Sequence, residues 1–241
     1  MTIADHIRQY ASTQNAPFQR AGLMQYLKSH HIAPSSAKVA LYRLAHNGQL
    51  QNEGRGLYSF PAKHAKEEFH YAPSEEELSL ARQVRVKFPF ADFCIWKPAV
   101  LTRYMQHIPA VRFLFVDFER DASESVFYFL RGLQEYKTIL LNPTEQECER
   151  YITTDELIIV RPLIKEAPVV SVHDYLVPTL EKILVDAACD HELLFAQGAE
   201  LYTIYENAFQ IHDMNVRRLL RYATRRNRKD RITEILNTIN P

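Results

Sequence analysis

The sequence predicts an α/β chain, α+β overall, in two domains, and three observations predict it. Three helical stretches followed by a hairpin signal fill the first sixty or so residues. From about residue 90, short β-rich apolar runs alternate with helical ones. Beyond residue 178 the pattern is helical to the end.

The first helix is read from Ile3, Ile7 and Tyr10, which recur at the four- and three-residue spacing of one buried face. A second amphipathic stretch, FQRAGLMQYLKSH, places Ala21, Met24 and Leu27 on one side. HIAPSS breaks the pattern, because Pro34 disfavours helix at Ala33, and Ser35 or Ser36 can cap the next helix. That third helix, SAKVALYRLAHNG, is expected to end at Gly48, a residue suited to the left-handed terminal position. QLQNEGRGLYSFP then reads as two short strands around Gly54-Arg55-Gly56.

This order is that of a winged helix-turn-helix over residues 1–62. The spacing Leu41-x2-Leu44-x3-Gly48-x-Leu50 buries one face of the third helix and starts the wing on an apolar anchor. Residues 63–79 are polar and acidic and read as a linker into a capped helix. An α/β domain is expected over 80–241. Its strands are ADFCIW, VRFLFVDF, KTILLN, ELIIVRPLI and APVVSVHDYLV. Its helices are KPAVLTRYMQH, ASESVFYFLRGLQ, TEQECERYI, PTLEKILVDAACD, GAELYTIYENAFQ, NVRRLLRYATRR and KDRITEILNTI. The alternation argues a small, partly parallel sheet.

Of the 241 residues, 46% are apolar and 24% charged, which is enough for a packed core. No membrane span and no secretory signal are expected, since no run of about eighteen apolar residues occurs and MTIADHIRQY lacks a basic-then-apolar pattern. Cys94, Cys148 and Cys189 form no CxxC pair and read as packed thiols of a cytoplasmic protein.

The formal net charge is zero, but it is segregated. Residues 1–62 carry six Lys/Arg against two acidic residues, a net of +4. Residues 139–190 carry four basic and ten acidic side chains, a net of −6, and residues 217–231 eight basic and one acidic, a net of +7. Such segregation predicts different partners for different parts of the chain.

On the third helix Lys38, Val39, Tyr42 and Arg43 flank the buried leucines, with Ser35 and Ser36 at its start. The N-terminal part of a recognition helix meets base edges, and Arg55 at the hairpin tip lies where a wing touches phosphate or minor groove. Duplex DNA is therefore the expected partner of the first domain.

Further along, the run ADFCIWKPAVLTRYMQHIPAVRFLFVDFERDASESVFYFLRGL is followed by ILLNP, VPTLEKILVDAACDHELLFAQGAELYTIYENAF and RRLLRYATRR. Together they resemble the AbiEi-like abortive-infection antitoxins of type IV toxin–antitoxin systems and their bacterial relatives. The most distinctive pieces are Pro178-Thr179-Leu180-Glu181-Lys182 and Arg221-Tyr222-Ala223. The resemblance implies a transcriptional regulator that represses its own operon through Ser35–Arg43 and Arg55. It further implies that residues 80–241 neutralise a nucleotidyltransferase-like toxin.

Chemistry is sparsely signalled, and neither an enzyme nor a cofactor or metal is expected. Asp117-Phe118-Glu119 closes a strand, with Asp121 after it and Lys137 opening the next. Carboxylates there could hold Mg2+ in a nucleic-acid-processing enzyme. The carboxylate-x-lysine step of such sites is missing, and a structural or solvated role is the expectation. Glu181 and Asp186 lie about 140° apart on a helix at ~100° per residue, so they do not converge. His30-His31 lack further ligands at metal spacing, and no phosphate-cradling glycine loop occurs. A regulator whose α/β domain senses a small molecule is a third reading.

The arginine run Arg217, Arg218, Arg221, Arg225, Arg226, Arg228 and Arg231, with Lys229, is interleaved with Leu219, Leu220, Tyr222 and Ala223. Either it pairs with the acidic segment of its own domain, or it is solvated, or it offers a phosphate or acidic-partner surface. Arg218, Arg221, Arg225, Arg226 and Arg228 are the residues such a partner would meet.

Overall fold

A computed structural model of the protein describes residues 2–14, 17–46, 50–59, 66–133, 138–152 and 157–239. The chain divides into two compact units, Met1–Ala65 and Lys66–Pro241.

The first unit runs α1 (Ile3–Ser12), β1 (Phe18–Gln19), α2 (Arg20–Ser29), α3 (Pro34–His46), β2 (Gln51–Gly54) and β3 (Leu57–Ser59). Thr2 and Asp5 form a reciprocal capping box that starts α1. Ile7, Ala11, Phe18, Leu23, Leu27, Ala37, Leu41, Leu44 and Leu50 close a single core. The three strands pair antiparallel in the order β1-β3-β2.

Local expectations shift in three places here. Phe18-Gln19, read as helix, instead extends to pair with Tyr58 and Leu57. Leu23 rather than Ala21 joins Leu27 in the core, and Ala21 is exposed. Ser35 and Ser36 are not caps. Pro34 itself is the first helical residue, where its missing N–H is harmless, and the Ala33 carbonyl accepts from Ala37 at 3.0 Å. Gly48 lies outside the described residues.

The second unit contains α4 (Glu75–Lys87), β4 (Phe93–Trp96), β5 (Phe113–Phe118), α5 (Ser123–Gly132), β6 (Thr138–Leu141), α6 (Glu145–Tyr151) and β7 (Leu157–Pro162). It continues with β8 (Val169–Val172), β9 (Tyr175–Pro178), α7 (Leu180–Cys189), α8 (Ala199–Ile211), α9 (Val216–Arg225) and α10 (Lys229–Ile239). Six strands form one mixed sheet in the order β6-β7-β5-β4-β9-β8. The pairs β6–β7, β7–β5 and β4–β9 are parallel, and β5–β4 and β9–β8 antiparallel.

Strand alternation divides the core between the two faces of this sheet. Phe113, Phe115, Leu157 and Ile159 turn toward Ile183, Leu184, Ile204, Leu219 and Ile232 of the C-terminal helices. Leu114, Val116, Phe118, Ile158 and Val160 turn toward Leu80 and Val84 of α4 and Val126 and Leu130 of α5. Each such buried side chain contributes roughly 1.5–3 kcal/mol relative to exposure.

APVVSVHDYLV forms two strands rather than one, reversing at His173-Asp174, with His173 at φ 53°. KPAVLTRYMQH makes a 3-10 helix over Pro98–Tyr104. Residues 66–74, expected as linker, pack onto the second unit. Glu67 bridges His212, and Ser74 caps α4 in a box with Glu77. Cys94 and Cys148 are buried, Cys189 is half-buried, and all three are free thiols; burial pushes Cys148 and Cys189 up to about 12. Among the described residues no helix is long and apolar enough to cross a membrane.

Candidate nucleic-acid interface

Helix α3 divides cleanly by its period. Ala37, Leu41 and Leu44, at i, i+4 and i+7, turn into the core. Ser35, Ser36, Lys38, Val39, Tyr42 and Arg43 all turn to solvent, with Val39 50% and Tyr42 69% exposed. Tyr42 is therefore no core residue. Among the described residues Lys38, Arg43 and Arg55 form no ion pair.

A groove flanks the exposed ridge on each side. One, of ≈ 750 Å³, is lined by Ser35, Ser36, Val39 and Arg43 together with Thr2 and Arg8 from the start of the chain. The other, of ≈ 320 Å³, is lined by Lys38 and Tyr42 together with Arg20, Asn52 and Tyr58. Arg8, Arg20 and Asn52 escape a reading of α3 alone, because they reach this surface from α1, the start of α2 and the hairpin. Arg8 is shared with Asp5 at 3.1 Å.

The hairpin tip is built from three consecutive residues of positive φ: Gly54 at 88°, Arg55 at 52° and Gly56 at 78°. A tight turn with positive φ at its central residues matches the twist of the flanking strands, and glycine takes such angles without penalty. Arg55 holds one of them itself and is thereby projected, exposed, at the tip.

Residues 36–241 match the model of a family of unknown function, DUF6577. The chain belongs to that family. No curated protein matches it. The DUF6577 match begins inside α3 and takes in the whole second unit.

In this DUF6577 chain the second unit holds a concentration of buried charge that no sequence motif announces. Register sets Asp117 of β5 beside Arg161 of β7. Arg161 Nε donates to Asp117 Oδ1 at 2.5 Å, and Lys182 Nζ to Asp117 Oδ2 at 2.6 Å. Trp96 Nε1 donates to the same Oδ2 at 3.0 Å. Lys182, Asp186 and Asp190 follow at i, i+4 and i+8 along α7, so they share one face. Asp186 accepts from Lys182 at 2.7 Å, from Tyr222 at 2.8 Å and from Arg226 at 2.8 Å. Asp190 accepts from Arg161 at 2.8 Å and from Arg226. The Arg161 guanidinium lies 3.5 Å from the centre of the Phe115 ring.

Burial pushes the Asp117 carboxyl up, but Arg161 and Lys182 outweigh it and hold the group well below the usual carboxylate range. Burial would lower Lys182, and Asp117 and Asp186 raise it instead. At Asp190 burial prevails and the pKa rises. Asp117 is thus not a solvated strand-end carboxylate. It is 1% exposed and committed to three donors. Glu119, two residues on, is exposed and accepts from the Asp92 amide at 2.7 Å. Lys137 lies outside the described residues.

The arginine run divides in the same way. Row 218, 222, 226 of α9 and its C-cap faces α7. Arg218 donates to Glu181 at 2.7 Å, and Arg226 to Asp186 and Asp190. Arg225 pairs with Glu166. Three of the five arginines expected to meet a partner are therefore engaged within their own unit. Glu181 and Asp186 serve separate arginines, as their angular separation requires. Arg221 and Arg228 are exposed, with Arg217 and Lys229 beside them, and none of the four joins an ion pair among the described residues.

Proposed function

We propose that the first unit is a winged helix-turn-helix that binds operator DNA, and that the protein is a transcriptional regulator of antitoxin type. One observation carries this reading. Six side chains of α3 that are not needed for the core are exposed, the cations Lys38 and Arg43 among them without an ion pair among the described residues, next to an arginine-tipped hairpin. Three helices and a hairpin with strand order β1-β3-β2 support it, as does the net charge of +4 over residues 1–62.

In this reading Ser35, Ser36, Val39, Tyr42 and Arg43 meet base edges, while Lys38 and Arg55 contact the sugar–phosphate backbone. The second unit meets a protein partner, of which a nucleotidyltransferase-like toxin is the kind the resemblance implies. Its available surface is Arg217, Arg221 and Arg228. A metal-dependent nucleic-acid enzyme gains no support from Asp117, whose oxygens already accept from two cations and an indole.

Repeated selection of the full chain against a randomised duplex pool tests the proposal. Enrichment of one shared motif is the expected result, and a pool that stays random through successive rounds contradicts it.

A further inference from the structure

Strand β8 ends one side of the six-stranded sheet, and its outer edge is open. Its antiparallel register sets Val169 against Pro178 of β9 and Val172 against Tyr175. Just before it the Pro168 carbonyl accepts from the Thr179 amide at 3.1 Å. Hydrogen-bonded and non-hydrogen-bonded positions alternate along such a ladder, so Val170 and Val172 also turn their backbone groups to β9. Val169 and Ser171 therefore direct N–H and C=O outward, and among the described residues nothing pairs with them there.

An open edge invites another strand, and proteins commonly guard it with lysine, an interior proline or a bulge. β8 has none of these. It reads Val-Val-Ser-Val in unbroken register, with Val170 46% exposed and Ser171 exposed. Pro168 precedes it, at a position whose N–H would face β9 rather than the edge. Beside the edge lies a cavity of ≈ 850 Å³ that takes in Val170 and Val172 with Phe69, Met214 and the exposed Val216. Its charged side chains are mixed in sign, Lys66 and Arg217 against Glu68 and Asp213.

We propose that a second copy of this chain covers the edge, β8 against β8, antiparallel about a two-fold axis at Val170. In that register Val169 of each copy pairs with Ser171 of the other, each pair exchanging two N–H···O bonds, and Val170 faces itself. Pro168 meets Val172, and Ala167 meets His173, so no charge faces its like from 167 to 173. Self-pairing depends on this, because a two-fold axis brings the same patch of both copies together. The mixed charges of the flanking cavity suit it for the same reason. The two sheets become one continuous sheet, and the pair carries two first units. The inference does not rest on the DNA reading, and its test uses no DNA.

Sedimentation velocity of the full chain at micromolar concentration, with oxidative cross-linking of cysteine variants, tests the proposal. The parent is expected to sediment at twice the chain mass. Val170→Lys, which sets two cations face to face on the axis, is expected to sediment as a monomer. Tyr128→Lys, at an exposed position of α5 beside β6 at the far side of the sheet, is expected to remain a dimer. Val170→Cys is expected to give a covalent dimer under oxidised glutathione, since a non-hydrogen-bonded antiparallel pair sets its Cα atoms about 4.5 Å apart, within disulfide reach. Ser171→Cys, which lies opposite Val169 instead of its own copy, is expected to cross-link no more than the parent. A parent that sediments as a monomer would overturn the proposal and leave the edge to an extended peptide of another protein. A dimer that survives Val170→Lys or is lost with Tyr128→Lys would also overturn it, as would Ser171→Cys cross-linking as readily as Val170→Cys.

Discussion

Lys182 and Asp117, 65 residues apart in sequence, meet at 2.6 Å where each side chain is only 2% exposed. Around them Arg161, Asp186, Asp190, Arg226 and the half-turn neighbour Glu192 complete a set of four carboxylates and three cations. Charges out of water persist only when geometry and hydrogen bonding are both satisfied, and removing one partner leaves the others exposed to the full desolvation cost. The network ties β5, β7, α7 and α9 into one body.

Asp117→Asn should therefore destabilise the protein by about 3–5 kcal/mol, because it leaves Arg161 and Lys182 short of a carboxylate. Glu119→Gln, at an exposed position whose amide oxygen still accepts from Asp92, should cost less than about 1 kcal/mol. Urea unfolding of the two variants provides the comparison. Equal midpoints would show that the Asp117 network contributes nothing to the fold.

Much of this architecture was legible in the sequence. Runs such as VRFLFVDF and ELIIVRPLI fall on β5 and β7, since continuous apolar character bounded by polar residues marks a strand buried on both faces. The exposed face of α3 followed from its period alone. The ion network did not. Its signal, Lys182-x3-Asp186-x3-Asp190 in an otherwise apolar helix, is a same-face pattern, and the pair Glu181 and Asp186 draws the eye instead. Asp117 could not be matched to Arg161 without the β5–β7 register, which only the folded sheet supplies. The β8–β9 reversal was hidden because His173-Asp174 carries no glycine or proline to mark a turn.

The arginines of α9 should separate by role. Arg226→Ser should lower the melting temperature, since it strips a cation from Asp186 and Asp190. Arg221→Ser with Arg228→Ser should leave it nearly unchanged, because exposed charges contribute little to stability. If the exposed pair forms a partner surface, its loss should slow association with an acidic partner, as clustered charge acts mainly on the on-rate. Thermal melts and stopped-flow association on the two variants distinguish these effects. A stable double variant that associates at the parent rate would remove Arg221 and Arg228 from the interface.

His212 should give stability a pH dependence. Glu67 O can only accept, at 3.1 Å, so Nδ1 carries the proton and Nε2 accepts from the Tyr104 hydroxyl at 2.9 Å. Burial lowers the pKa of His212, only partly offset by the bond to Glu67. Below the ordinary value of 6.5 the unfolded chain takes a proton that the folded chain resists. Stability should thus be full above pH 6.5, fall as the pH drops below it, and level off once folded His212 titrates. His212→Gln should flatten that part of the pH profile of the urea midpoint. An unchanged profile would rule His212 out as its source.

The central claim, that α3 and the hairpin read duplex DNA, is tested most directly by fluorescence-anisotropy titration at several salt concentrations. The titration uses a duplex recovered by selection and compares the parent with Arg43→Ala and Arg55→Ala. Arg43→Ala should cost about 1–3 kcal/mol on the selected duplex and far less on a scrambled one, the mark of a base-edge contact. Arg55→Ala should weaken both duplexes alike and reduce the slope of log K against log salt by about one phosphate contact. Parent-like affinity, discrimination and salt slope in both variants would contradict the account.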